Sequence, residues 1–289
     1  MDLLFQQLVN GLSLGALYAL IAVGYTVVYG IIQLINFAHG EIFMMGAFGA
    51  LSTWLLLGEP TDNLSVVLLL PMLLGGMVVS VGVALLTERF AYRPLRNAPR
   101  LAPLITAIGV SIFLQEFVRL FYGRIPGFPD AKLAIPFPQI EVVTGPALAF
   151  GDVLIQRAAI FTIAALIVCA AFLYVFVNRI IVLAFGIGAA LAAVAGLAHG
   201  LRYTNIDFRM GFLAGLKAFT AAVLGGIGNI AGAVVGGLLL GVIEVLATTY
   251  IPGTLGGSAW KDVWAFVLLI LVLVFRPQGL LGARVVDRA

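Results

Sequence analysis

The heptapeptide Ile35-Asn36-Phe37-Ala38-His39-Gly40-Glu41 interrupts an apolar run that extends from Leu8 to Leu57. As one helix, that run would reach ~75 Å at ~1.5 Å per residue, whereas the hydrocarbon core of a bilayer is about 30 Å thick. The run therefore crosses a membrane twice, and the heptapeptide is the polar stretch at which it can turn. Asn36, His39 and Glu41 need an account there, because polar side chains inside a spanning region are costly unless partnered.

Composition extends this reading to the whole chain. Of 289 residues, 62% are hydrophobic and 10% charged, and the mean hydropathy is +1.14; a soluble domain carries about 25% charged residues. The apolar stretches are continuous rather than alternating, which points to helices and away from a β-barrel. The expected fold is an all-α polytopic transmembrane bundle of about 8–9 spans, with broken or re-entrant helices, in one domain over 1–289. The single Cys169 excludes an intrachain disulfide and a cysteine metal site, and the two histidines are far apart, so no metal is expected. A net charge of +3, spread along loops, argues against nucleic acid as a partner. No cleavable signal peptide is expected, since Met1 to Leu8 lacks a basic region.

Spans are expected near 8–34, 41–58, 64–87, 102–122, 155–177, 180–201, 212–227, 231–250 and 261–276. The glycine-rich part from Gly211 to Gly241 reads as two short spans or one span with a re-entrant piece. Arg89, Arg93, Arg96 and Arg100, and in the tail Arg276, Arg284 and Arg288, place the third connection and the C-terminus inside by the positive-inside rule. The segment 123–152 has five prolines and balanced charge, with Arg124 and Lys132 against Asp130, Glu141 and Asp152. It reads as an ordered external loop, and the N-terminus falls on the same side.

Small residues recur four apart at Gly11, Gly15 and Ala19, at Gly228, Gly232 and Gly236, and at Gly237 and Gly241. Such stripes let helix backbones approach closely in lipid, so bundle packing explains most of them. Packing does not call for Gly225-Gly226-Ile227-Gly228-Asn229, which reads as a helix break of the kind found beside translocation routes. Within the spans, Glu116 and Arg119 are helix neighbours that can neutralise one another. Lys217 and Glu244 reach similar depth if their helices pack antiparallel, so an interhelical ion pair is expected. Lys261 and Asp262 open the last span, flanked by Trp260 and Trp264 as interfacial anchors. His39 and Glu41 lack a nucleophile, and no HExxH, GxSxG or phosphate-binding loop occurs. Catalytic chemistry and a bound cofactor are not expected of this chain.

Three stretches carry a family resemblance. Ile35 to Glu41 with Met44, Met45 and Gly46, the run from Gly215 to Gly228, and Phe275-Arg276-Pro277-Gln278-Gly279-Leu280-Leu281-Gly282 resemble, in order and spacing, the hallmarks of permease subunits of high-affinity, binding-protein-dependent branched-chain amino acid ABC importers. The opening Asn10-Gly11 to Gly15 is similar to one of the two related permeases in such systems. The resemblance implies a multi-pass protein of the bacterial inner membrane that is not itself an enzyme. It also implies a homologous second permease, two cytoplasmic ATPases that bind ATP and Mg, and a periplasmic amino-acid-binding protein. Cargo would be leucine, isoleucine or valine, moved by alternating access. Such cargo suits an apolar route, with Phe37, Phe43, Met44, Met45, Phe212 and Phe219 as candidate lining. Asn36, His39, Gly40 and Glu41 then read as a hinge near the inner gate: Asn36 ends one helix, Gly40 admits a tight turn, and His39 and Glu41 satisfy helix-end groups or each other. Gly225, Gly226, Gly228 and Asn229 are the second hinge candidate.

The chain departs from this family at 174–180. Family members carry a cytoplasmic coupling segment of about two dozen residues between the corresponding helices, whereas here only Asn178-Arg179 separates two apolar runs. Either the segment is deleted or the sequence joins residues across an unobserved loop; the second is expected, because deletion would uncouple ATP hydrolysis from transport. A permease for urea or short amides of the same architecture is the nearest functional alternative. A passive channel is the alternative from another class, although no repeated filter motif supports it.

Overall fold

The computed structural model describes residues 2–32, 36–60, 66–95, 98–99, 101–140, 143, 145–150, 153–176, 181–253 and 256–282. Ile35, Arg96, Arg100, Glu141, Asp152, Asn178, Arg179, Arg284 and Arg288 lie outside the described residues, as do positions 177–180 of the junction where the coupling segment is expected.

Nine α-helices occur among the described residues: α1 Asp2–Ile32, α2 His39–Leu56, α3 Val66–Thr87, α4 Leu101–Phe121, α5 Arg157–Phe176, α6 Ile181–Tyr203, α7 Met210–Gly225, α8 Ile230–Tyr250 and α9 Lys261–Phe275. They fall where the apolar runs place them. Six helical stretches, from α1, α3, α4, α6, α8 and α9, are long and apolar enough to cross a membrane; α5 and α7 contain shorter apolar helices. The result is an all-α membrane bundle, and Gly211 to Gly241 forms two helices joined by a turn.

Two boundaries differ from the sequence reading. Helix α1 starts at Asp2 rather than near Leu8, because its polar first turns bond one another and a neighbour. The Gln6 side chain donates to Asn10 Oδ1; its Nε2 also donates to the Leu154 carbonyl, and its Oε1 accepts the Leu154 N–H. The loop expected to be external runs past 152 to Gln156. Apolar Val153–Gln156 (β2) pairs antiparallel with Pro146–Phe150 (β1) as a hairpin, so its backbone bonds are satisfied in a strand and not in the next helix. Ile135–Pro136 pairs antiparallel with Asn205–Ile206, which ties this loop to the α6–α7 connection. At its exposed tip Lys132 hydrogen-bonds Asp130, and those bonds hold the Asp130 carboxyl below the usual range.

The most extensive helix contact is α1 against α8. Both helices are stripped to backbone along the seam: a Cβ added at Gly15 would stand 2.7 Å from Leu238 Cα, and one at Gly11 2.7 Å from Val242 Cα. The stripe Gly232/Gly236 faces elsewhere, against Ala221 and Gly225 of α7. Helix α8 thus uses one set of small residues per neighbour, and dispersion attraction between closely spaced backbones holds the three helices together. One apolar core surrounds Leu20, Ile21, Phe43, Leu191 and Leu240. A second unites α2 and α3 with the loop between α4 and α5 and with the α6–α7 connection through Met44, Leu51, Met72, Ile140 and Ile206. Large apolar side chains on α3, α4 and α9, such as Val78, Phe113 and Phe275, are exposed, as befits surfaces facing lipid or another membrane subunit.

Candidate functional site

Helix α2 starts inside the bundle. Its first residue, His39, is buried against α1, where a Cβ at Gly24 would collide with His39 Nε2, and against Gly188 of α6. Gly24 stands eight residues before Ile32, the last described residue of α1, or ~12 Å of helix. Glu41, fully buried, accepts hydrogen bonds at Oε1 from Ser111 and Gln115 of α4, each 2.9 Å. Ser111 lies ten residues into α4, or ~15 Å. The first turn of α2 therefore lies about half of a bilayer core away from the end where α4 starts.

The approach to this start is built locally. Asn36 Oδ1 accepts the Ala38 N–H at 3.1 Å and the Tyr92 hydroxyl at 2.6 Å. Tyr92 comes from a π-helical turn, Glu88–Tyr92, that continues α3. Asn36 consequently shapes the entry to α2; positions 33–35, through which α1 would have to run for Asn36 to end it, lie outside the described residues. Gly40 does not serve a tight turn, for it lies within α2 and its φ is not positive. Its role is close approach: a Cβ there would collide with the Gly211 carbonyl and stand 2.8 Å from Gly215 Cα. The first turns of α2 and α7 thereby touch backbone to backbone. His39 and Glu41 do not bond each other. The His39 ring meets Tyr25 edge-on with centroids 4.8 Å apart, and the Glu41 carboxylate lies against Gly211. Among the described residues, Asn36 Nδ2, His39 Nε2 and Glu41 Oε2 have no hydrogen-bond partner, and no cation pairs with Glu41. Each such buried group carries a desolvation cost of about 1–3 kcal/mol, an expense that simple packing does not require.

The second polar cluster centres on Lys217, which is 4% exposed. Its ammonium donates to Glu244 Oε1 at 2.8 Å, Asp262 Oδ1 at 2.6 Å and the Tyr18 hydroxyl at 3.2 Å. All three ammonium protons are thus used. Tyr18 in turn donates to Glu244 Oε2 at 3.0 Å. Sequence reasoning placed Lys217 beside Glu244, and the structure brings them together; it missed Tyr18 and the second carboxylate, Asp262. Glu116 and Arg119 also meet, at 2.6 Å, on the partly exposed face of α4.

The other candidates separate into distinct places. Gly226 and Gly228 have φ of +107° and +93° and form the α7–α8 turn, while Asn229 caps α8 by accepting the Gly232 N–H at 3.0 Å. This turn holds the chain after α9: Leu280 and Leu281 donate to Leu224 and Gly225 carbonyls, and Asn229 Nδ2 donates to the Leu281 carbonyl. It stands at the opposite end of α7 from Gly40, so the two hinge candidates are separate. Phe37 packs on Phe219, and Phe43 meets His199 edge-on. Met44 and Met45 sit in or against the second core, and Phe212 is exposed. The candidate route residues therefore do not share one surface. Sequence reasoning missed Ser111 and Gln115, whose spacing of four on an apolar helix is the signal that could have found them; Tyr92, Gly211 and Gly215 carry no such signal.

The chain is similar to known proteins along nearly its whole length. Residues 7–273 match the family described as branched-chain amino acid transport system / permease component. The chain is 45% identical over 305 residues to the high-affinity branched-chain amino acid transport system permease protein BraD of Pseudomonas aeruginosa, covering 98% of this chain and 97% of that one. It is 41% identical over 306 residues to the permease protein LivH of Escherichia coli K12, with the same coverages. These alignments exceed the 289 residues of this chain, so the relatives carry residues without a counterpart here. A solved structure, PsaBC from Streptococcus pneumoniae in complex with Fab, shares the fold at a TM-score of 0.50 and 9% identity, covering 96% of this chain and 93% of that one. A multi-pass helical bundle, helices that break inside it and a family match along nearly its full length give one conclusion: the chain belongs to the permease components of branched-chain amino acid transport systems.

Proposed function

We propose that this chain is one of two related permeases in an ATP-driven importer, and that it moves leucine, isoleucine or valine across the bacterial inner membrane by alternating access. The observation that carries the proposal is the start of α2 inside the bundle, with buried His39 and Glu41 and with Gly40 lying backbone to backbone against α7. Broken helices next to partly unsatisfied polar groups are the elements that transporters rearrange around a substrate path. Two packed states that differ in this contact would open the path to one side at a time. The chain holds no ATP machinery of its own in this reading: ATP and Mg bind the partner ATPases, and a periplasmic binding protein delivers the amino acid. The family's coupling segment is taken to lie between the residues that meet at 174–180.

Uptake of labelled leucine and of labelled urea by the complex reconstituted with its ATPases and binding protein tests the proposal. ATP-dependent leucine uptake is expected. Urea uptake would favour the short-amide alternative, uptake without ATPases a channel, and ATP hydrolysis without uptake a chain from which the coupling segment is deleted. His39→Ala should abolish uptake while leaving assembly and basal ATP hydrolysis intact.

A further inference from the structure

A half-open cavity of about 250 Å³ lies between α1, α2, α6, α7 and the start of α9. One side is apolar, formed by Leu14, Ile21, Phe43, Met210 and Leu213; Tyr18, Lys217, Lys261 and Asp262 line the other. His199 also lines it, with Nδ1 buried and without a partner among the described residues. This is an amphipathic container with charges of both signs at one end.

The two carboxylates on Lys217 are not equivalent. Glu244 is 2% exposed and its second oxygen is held by Tyr18. Asp262 is 36% exposed, on the first turn of α9. Asp262 can therefore leave Lys217 at low cost, because water or a ligand cation can solvate it, whereas Glu244 cannot. A neutral molecule with one anionic and one cationic group could enter between Lys217 and Asp262 and replace one ion pair by two without changing the net charge.

We propose that this cavity is the permease's own binding site for a zwitterionic amino acid with a compact branched side chain. The α-carboxylate takes the Lys217 ammonium, the α-ammonium takes the Asp262 carboxylate, and the side chain lies against Leu14, Ile21, Phe43 and Leu213. The apolar wall suits an aliphatic side chain, and the two opposite charges at the other end suit the two charges of a zwitterion. Urea has no charges to divide the pair and no side chain for the apolar wall. This site rests on the reading of the chain as an amino acid permease.

The test uses the intact reconstituted complex carrying Cys169→Ala and Leu213→Cys, the latter at a cavity position 46% exposed. Maleimide labelling of the new thiol is followed with added leucine or added urea, without binding protein. Leucine should slow labelling several-fold and urea should not. Asp262→Asn should raise the leucine concentration for half-protection by about tenfold or more, the loss of one charged hydrogen bond, and Asp262→Glu should recover part of it. A complex that takes up leucine yet shows no protection, or whose half-protection ignores Asp262→Asn, overturns the site and leaves the transport reading standing. A complex that takes up urea instead of leucine overturns the transport reading itself.

Discussion

Replacing Lys217 by methionine puts the buried network to its hardest test. The substitution keeps a long apolar stem and removes the ammonium, which is 4% exposed and bound to two carboxylates and a hydroxyl. Asp262, 36% exposed, can turn to water. Glu244, 2% exposed, cannot, and keeps only the Tyr18 hydroxyl at 3.0 Å. Removing one partner of a buried pair costs about 3–5 kcal/mol, most of it from the stranded charge. At about 2–4 °C per kcal/mol for chains near this size, the thermal midpoint of the detergent-solubilised complex should fall by about 6–20 °C, read as loss of monodisperse assembly after heating. Glu244→Gln should cost much less, because Lys217 retains Asp262 at 2.6 Å. The double variant should recover more than half of the Lys217→Met loss, since no charge is then left buried. A Lys217→Met midpoint within about 2 °C of wild type, or a double variant no better than the single, would refute the claim that Glu244 depends on Lys217.

Three further outcomes follow from named contacts. Gly40→Val places side-chain atoms on the Gly211 carbonyl and Gly215 Cα, backbone that no rotamer change relieves, so assembled protein should fall steeply on a membrane-extract gel-filtration profile; Gly30→Ala, with nothing within 4 Å, should assemble as wild type. Glu41→Leu leaves the buried Ser111 hydroxyl without its acceptor, and Gln115 with only Ser111 Oγ at 3.3 Å, and should cost about 1–3 kcal/mol, whereas Glu41→Gln keeps an acceptor and should survive heating far better. Asn229→Ala removes the cap on Gly232 and the bond to the Leu281 carbonyl. A loss of about 1–2 kcal/mol should speed amide exchange at Leu280 and Leu281 about tenfold, and unchanged exchange would mean that Asn229 does not hold that segment.

The chain's membrane character, its run of helices, its polar breaks and its family were all legible in the sequence, because each depends on local composition, spacing or contiguous motifs. Burial in lipid selects apolar stretches of fixed length, and a buried Lys217 demands an opposite charge, so even the Glu244 pairing could be reasoned out along two antiparallel helices. Three things depended on residues far apart in sequence meeting in space. The stripe Gly11/Gly15 chose α8 rather than another helix, and α8 kept Gly232/Gly236 for α7; periodicity marks a face but not its partner. Gly40 proved to be a point of close approach and not a turn, since the backbone it touches is more than 170 residues away at Gly211 and Gly215. Asp262 joined Lys217, and the cavity formed beside them, only because α9 folds back against α7 and α8. Hydropathy determines that a segment is buried in the membrane; which backbones touch, and which charges share a buried proton donor, is decided by packing.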